Sequence, residues 1–264
     1  MPEMISTATG PSGFRKFLLS SAHLLVAVQN SIVKNSSILG YSQVLGNPRL
    51  VRLGTDYGGW WIPEPFLLQD NKKRTVLSIG IGHDVSFDKE LLKRGFQCIA
   101  LDPIIECVEY ARTQLNDFPA LHLENLGIST FTGKERFFSP LNSSHDSWSS
   151  TNSQETLAID SKEFQVISLP HLFLKYREVI KDSVLILKMD IEGAEKNIIP
   201  SICTLDFTLD FLTIEMDFLS LIPFIQFRRR LSSIFLARTL LRMLNDRGYK
   251  LIRTENFNFF WIKE

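Results

Sequence analysis

The chain has 264 residues, 44% of them hydrophobic, and its 29 basic residues balance 29 acidic ones. That is enough to bury a substantial core, and it suits one large α/β domain with an N-terminal extension. There is no basic excess and no obvious basic face to suggest a nucleic acid partner. The three cysteines, Cys98, Cys107 and Cys203, have neither zinc spacing nor a disulfide framework, so they read as small buried apolar residues in a reducing, cytoplasmic setting.

Residues 1–70 read as the extension and 71–264 as the main domain. Within the extension, Phe14 to Val33 is an interrupted apolar stretch behind Arg15 and Lys16. It predicts an amphipathic helix packed on the domain or on a partner, with an interfacial membrane helix and a cleaved or spanning segment as the other readings. Leu45 to Asp70 is rich in glycine and proline and carries Tyr57-Gly58-Gly59-Trp60-Trp61. It reads either as one wall of a cofactor pocket or as a lid on the sheet edge.

The chain then changes character. The apolar run Val76-Leu77-Ser78-Ile79 enters Gly80-Ile81-Gly82-His83-Asp84, and a helix is expected from about Ser86 to Arg94, with Ser86 as its cap. A second strand, Cys98 to Leu101, ends in Asp102, twenty-two positions beyond Gly80. This is the spacing of a βαβ unit whose glycine turn admits a nucleotide-like ligand while the next strand offers a carboxylate to ribose hydroxyls. A dinucleotide fingerprint wants a third glycine where this chain has Val85. An adenosine with a short zwitterionic tail, as in S-adenosylmethionine, fits better than a diphosphate. The runner-up is a nicotinamide-dependent oxidoreductase, and a catalytically silent scaffold keeping the fold is the third reading.

Beyond Asp102 the pattern predicts a helix over 104–116, a strand near Ala120 to Leu123, and a hairpin turn at Gly133-Lys134. Residues 139–156 form a serine-rich loop that carries His145, Asp146 and Trp148. A short strand at Val166 to Ser168 and a helix from Leu169 to Val179 follow. Val184 to Met189 is a buried strand running into Asp190, Glu192 and Glu195, and Phe211 to Ile214 repeats the theme with Glu215 and Asp217. Asp102, Asp190 and Glu215 therefore end three strands on one edge, where an open parallel sheet collects ligands. The tail predicts a helix through Leu231 and Leu244, closed by Gly248, then an antiparallel hairpin. Between them, Phe218 to Phe227 is apolar and bordered by Arg228 to Arg230. That patch suits a membrane surface or lipid-linked acceptor, ordinary packing, or the contact of an oligomer.

Three stretches resemble FkbM-type S-adenosylmethionine-dependent methyltransferases. LKMDIEGAE, Leu187 to Glu195, is similar to the family's hallmark, VLSIGIGHDVSFD, Val76 to Asp88, to its cofactor loop, and NLGIS, Asn125 to Ser129, to its third-strand region. The resemblance spans roughly Val76 to Asp217. It implies the class I methyltransferase fold, Rossmann-like, with a seven-stranded mostly parallel sheet in the order 3-2-1-4-5-7-6 and a C-terminal antiparallel hairpin. It also implies O-methylation of a sugar or hydroxylated secondary metabolite, so the partner is a small-molecule or glycan acceptor. Gly80, Gly82, Asp102 and Asn125 are then expected around S-adenosyl-L-methionine, and Asp190 beside the sulfonium. Glu192 or His145 is the expected base, with Asp190 itself a further candidate. Ser78 stands where many methyltransferases carry an acid, which leaves the methionine amino group to backbone carbonyls, Asp84 or Asp190. No second carboxylate is spaced in sequence to complete an octahedral site, so no metal is expected.

Overall fold

The computed structural model describes residues 48–68, 71–139, 148–150, 160–219 and 227–264. The helix expected over Phe14 to Val33 and the candidate base His145 lie outside them, as does 220–226 of the apolar patch. No described helix is long and apolar enough to cross a membrane.

The described residues begin with an antiparallel pair, β1 (Leu50–Leu53) and β2 (Trp60–Pro63), and the short α1 (Glu64–Leu67). The βαβ unit follows as β3 (Lys73–Ile79), α2 (Ser86–Lys93) and β4 (Gln97–Leu101), then α3 (Ile105–Gln114) and β5 (Leu121–Glu124). Next come β6 (Gly127–Ser129), β7 (Gly133–Phe138), β8 (Ser161–Ser168), α4 (Leu169–Lys175) and α5 (Arg177–Ile180). The second half is β9 (Ser183–Met189), α6 (Glu195–Thr204), β10 (Phe211–Glu215), a 3-10 turn at Asp217–Leu219, α7 (Phe227–Asp246), β11 (Tyr249–Glu255) and β12 (Asn258–Lys263).

Seven of these strands form one sheet in the order β11-β12-β10-β9-β3-β4-β5. Neighbours from β5 to β10 run parallel, and β12 runs antiparallel to both β10 and β11. Counted within the sheet this is 3-2-1-4-5-7-6, the order expected of a class I methyltransferase. The central strands β3 and β9 are buried almost end to end because helices or loops cover both faces. Alternation sorts their side chains into two cores. Leu77, Ile79, Leu185, Leu187 and Met189 join the face packed by α6 and α7, while Val76, Val184 and Ile186 join the face packed by α2 and the β1–β2 strap.

Three local expectations are corrected. Gly133 does not turn one strand back on another, because β8 lies between β6 and β7, parallel to the first and antiparallel to the second. The serine-rich stretch accordingly joins β7 to β8, and its described part bridges Phe138 through Ser149. Ser86 does not cap α2. Its N–H donates to Asp84 Oδ1 at 3.0 Å and its hydroxyl accepts the Thr55 N–H at 2.9 Å. Cys98 and Cys107 are buried, but Cys203 is only half so.

Candidate active site

Strand register builds the site. Leu101, Ile79, Met189 and Ile214 lie side by side across β4, β3, β9 and β10. The next residues, Asp102, Gly80, Asp190 and Glu215, therefore share the carboxyl edge. Gly80 has φ of 76°, and a Cβ there would lie 1.7 Å from the Asp190 carbonyl oxygen. Only glycine lets the two central strands touch as they leave the sheet. Gly82, at φ 54°, has open space where a Cβ would stand. Both glycines border a cleft of about 1130 Å³ that also takes in Tyr57, Trp60, Asp190 and Glu215. The aromatic strap is thus a wall of that cleft, and Trp60 is at the same time buried against Phe260, ring centroids 6.4 Å apart.

Several expected ligand-binding residues turn out to be held by the protein itself. Asp102 Oδ2 accepts the N–H groups of Ile81 and Gly82 at 3.1 and 3.0 Å, and Oδ1 accepts that of Ile104 at 2.9 Å. Burial pushes its carboxyl up, against the pull of these donors and of Lys188. Asn125 spends its amide on the carbonyls of Asp102 and Pro103. Asp84 accepts from the Thr55 hydroxyl, the Gly58 N–H and the Ser86 N–H, and so ties the strap to the start of α2. Partial burial works to raise Asp84, but these hydrogen bonds hold it below the ordinary carboxylate range. Ser78 is fully buried beside Asp88 of α2.

The other flank of the edge is crowded with acid. Carboxylate oxygens of Asp190, Glu192 and Asp217 lie within 4.8 Å of one another, close enough to share one cation, a ligand's or a divalent ion. The second carboxylate that sequence spacing did not reveal is thus supplied by the fold. Glu192 is held at φ 56°, with its carbonyl accepting the Ser149 hydroxyl at 2.6 Å. Glu195, fully buried, accepts the N–H groups of Ile191 and Gly193 on Oε1, and its Oε2 finds no hydrogen bond among the described residues.

Desolvation and mutual repulsion set the charge of this group. Burial pushes Glu195 up to about 8, with the Gly193 N–H opposing and Asp190 reinforcing. Burial and Asp190 bring Glu215 to about 7, and burial with Glu215 and Glu195 brings Asp217 to about 10. Burial also raises Asp190, offset by Lys188, whose Nζ lies 4.0 Å from Asp190 Oδ2. Lys188, Glu195 and Asp217 stand at this edge although the sequence reading gave them no role. The signal for Lys188 was a lone charge inside the otherwise apolar Val184 to Met189.

The family model for the methyltransferase FkbM domain matches residues 58–251. No curated protein matches significantly. Among solved structures, the chain is similar to methyltransferase FkbM from Methylobacillus flagellatus KT, at 13% identity and TM-score 0.38, over 72% of this chain and 43% of that one. The chain therefore spans less than half the length of that protein. It is also similar to a putative caffeoyl-CoA O-methyltransferase from Staphylococcus aureus, at 10% identity and TM-score 0.39 over 94% and 98% of the two chains. A precorrin-6y C5,15-methyltransferase from Geobacter metallireducens GS-15 stands at 13% and 0.36, over 76% and 87%. Likenesses at such TM-scores carry no argument. The match over 58–251, on a sheet with the strand order derived above, does: the chain belongs to the FkbM methyltransferase domain family.

Proposed function

We propose that the chain uses S-adenosyl-L-methionine to O-methylate a small-molecule or glycan acceptor. The observation that carries this reading is the excess of carboxylates beside an open glycine turn. Asp190, Glu192, Glu215 and Asp217 gather there with the ammonium of Lys188 among them. Such a site suits a ligand bearing positive charge next to an apolar or aromatic body, and a sulfonium with an adenosyl group is one. When bound, S-adenosylmethionine supplies a methyl group already activated toward nucleophiles.

The protein's part is placement and proton handling. Gly82 leaves room at the turn, and Asp190 presents negative charge at the strand end beside it. Holding an acceptor oxygen in line raises its effective concentration by many orders of magnitude. An alcohol also needs a proton acceptor. Glu215, on the cleft wall with its carboxyl near 7, is poised for that at neutral pH, and Glu192 is the nearby alternative. The buried Val85 fills the position where a dinucleotide-binding helix would carry glycine, which disfavours the nicotinamide reading.

The test is methyl transfer from labelled S-adenosylmethionine into a cell extract, with Asp190→Ala as control. Incorporation by the native chain and its loss in the variant are expected. Binding of S-adenosylmethionine with no incorporation favours the silent scaffold, and a thermal shift with NAD in its place favours the oxidoreductase.

A further inference from the structure

Lys188 is the penultimate residue of β9 and puts a charge on a largely apolar sheet face, its side chain 7% exposed. A buried ammonium is costly unless its donors are met. Its register neighbours on β3 and β10 are Ser78 and Thr213, both short and fully buried. They leave room for the lysine stem to run along the face beneath the strap. At the far end, Nζ donates to the Gly80 carbonyl, lies 4.0 Å from Asp190 Oδ2, and sits 5.4 Å from the Trp60 ring centroid. Buried Asp88, from α2, is a further countercharge. One ammonium thus meets the glycine turn, the acidic strand end and the aromatic strap, three segments far apart in sequence.

We propose that Lys188 is a positioning residue: it anchors the Gly80 carbonyl and the Asp190 carboxylate so that the site favours charged S-adenosylmethionine over neutral S-adenosylhomocysteine. This rests on the methyl-donor reading above. Two effects oppose each other here. The ammonium repels a sulfonium directly, yet it holds in place the carboxylate that attracts one. A contact at 4 Å in a partly buried site is strong enough for either to dominate. The geometry favours the second, because the Lys188 ammonium is already engaged with Gly80, Asp190 and Trp60, while the Asp190 side chain is 32% exposed and lines the cleft.

Calorimetric titration of the full chain with S-adenosylmethionine and S-adenosylhomocysteine tests it. Lys188→Met is expected to weaken the charged ligand about tenfold and the neutral one by less than about threefold. Lys188→Arg is expected to keep the native ratio of the two affinities. Equal losses for both ligands, or tighter binding of the charged one, overturn the proposal. Should Lys188→Met fail to fold, Lys188→Gln keeps a donor for the Gly80 carbonyl without the charge, and the same ratio decides. A native chain that binds neither ligand overturns the methyl-donor reading itself, a result distinct from either variant outcome.

Discussion

Asp102 and Asp190 flank the same glycine turn, one strand to either side, and both end a buried parallel strand. Their carboxylates nevertheless do different work. Asp102 is 6% exposed and accepts three backbone N–H groups, so its charge is spent on closing the turn. Asp190 accepts no backbone N–H among the described residues and faces Glu192, Asp217 and one ammonium. A carboxylate satisfied by amides closes a turn; one surrounded by other acids makes its neighbourhood favourable to positive charge. The difference lies in which backbone donors come within reach, and an aspartate at a strand tip does not disclose that by itself.

The sharpest way to break this contrast is a pair of substitutions. Asp102→Ala strands two buried N–H donors and one part-buried one and is expected to cost about 3 kcal/mol or more of stability in a urea titration. Asp190→Asn, which relieves repulsion, is expected to change stability by less than about 1 kcal/mol while weakening S-adenosylmethionine about tenfold. Similar losses of stability in the two variants would erase the distinction.

Stability against pH sharpens the acidic side. Glu195 has its carboxyl near 8 in the folded chain, against an ordinary 4.5. Between those values the folded state keeps a proton that the unfolded state has lost. Stability therefore falls as pH rises through that window and levels above it. The expected loss is on the order of 4 kcal/mol from pH 5 to pH 9, and Glu195→Gln should flatten the slope. A native chain whose urea midpoint is unchanged over that range would contradict the crowding described here.

The smallest effect belongs to the strap. Asp84→Ala removes the acceptor of the Thr55 hydroxyl, which is exposed, and of the Gly58 and Ser86 N–H groups, which are part-buried. It is expected to cost about 1 kcal/mol and to make Thr55 to Gly59 open to limited proteolysis. Protection equal to the native chain would show that other contacts hold the strap.

Much of the scaffold was legible before any coordinates. Continuous apolar runs at Val76 to Ile79 and Val184 to Met189 could only be strands covered on both faces. The glycine turn and the acid-tipped strands placed the cleft at the carboxyl edge. Other signals misled: Gly133 resembled a hairpin turn, but β8 arrives from later in the chain and takes the partner edge. Asp84 and Asn125 had the right residue types for a ligand, yet their hydrogen bonds are made with the strap and with the strand end.

Local pattern thus determined which segments are strands and which helices, and the motifs identified the family, because periodicity and glycine turns are written in neighbouring residues. Only the tertiary structure decided which acids crowd together. That depends on Asp217 being brought beside Asp190 by the pairing of β10 with β9, and on Lys188 reaching Gly80, 108 positions away. Electrostatics acts through space, so the pairing that sets a carboxylate's charge cannot be read from its place along the chain.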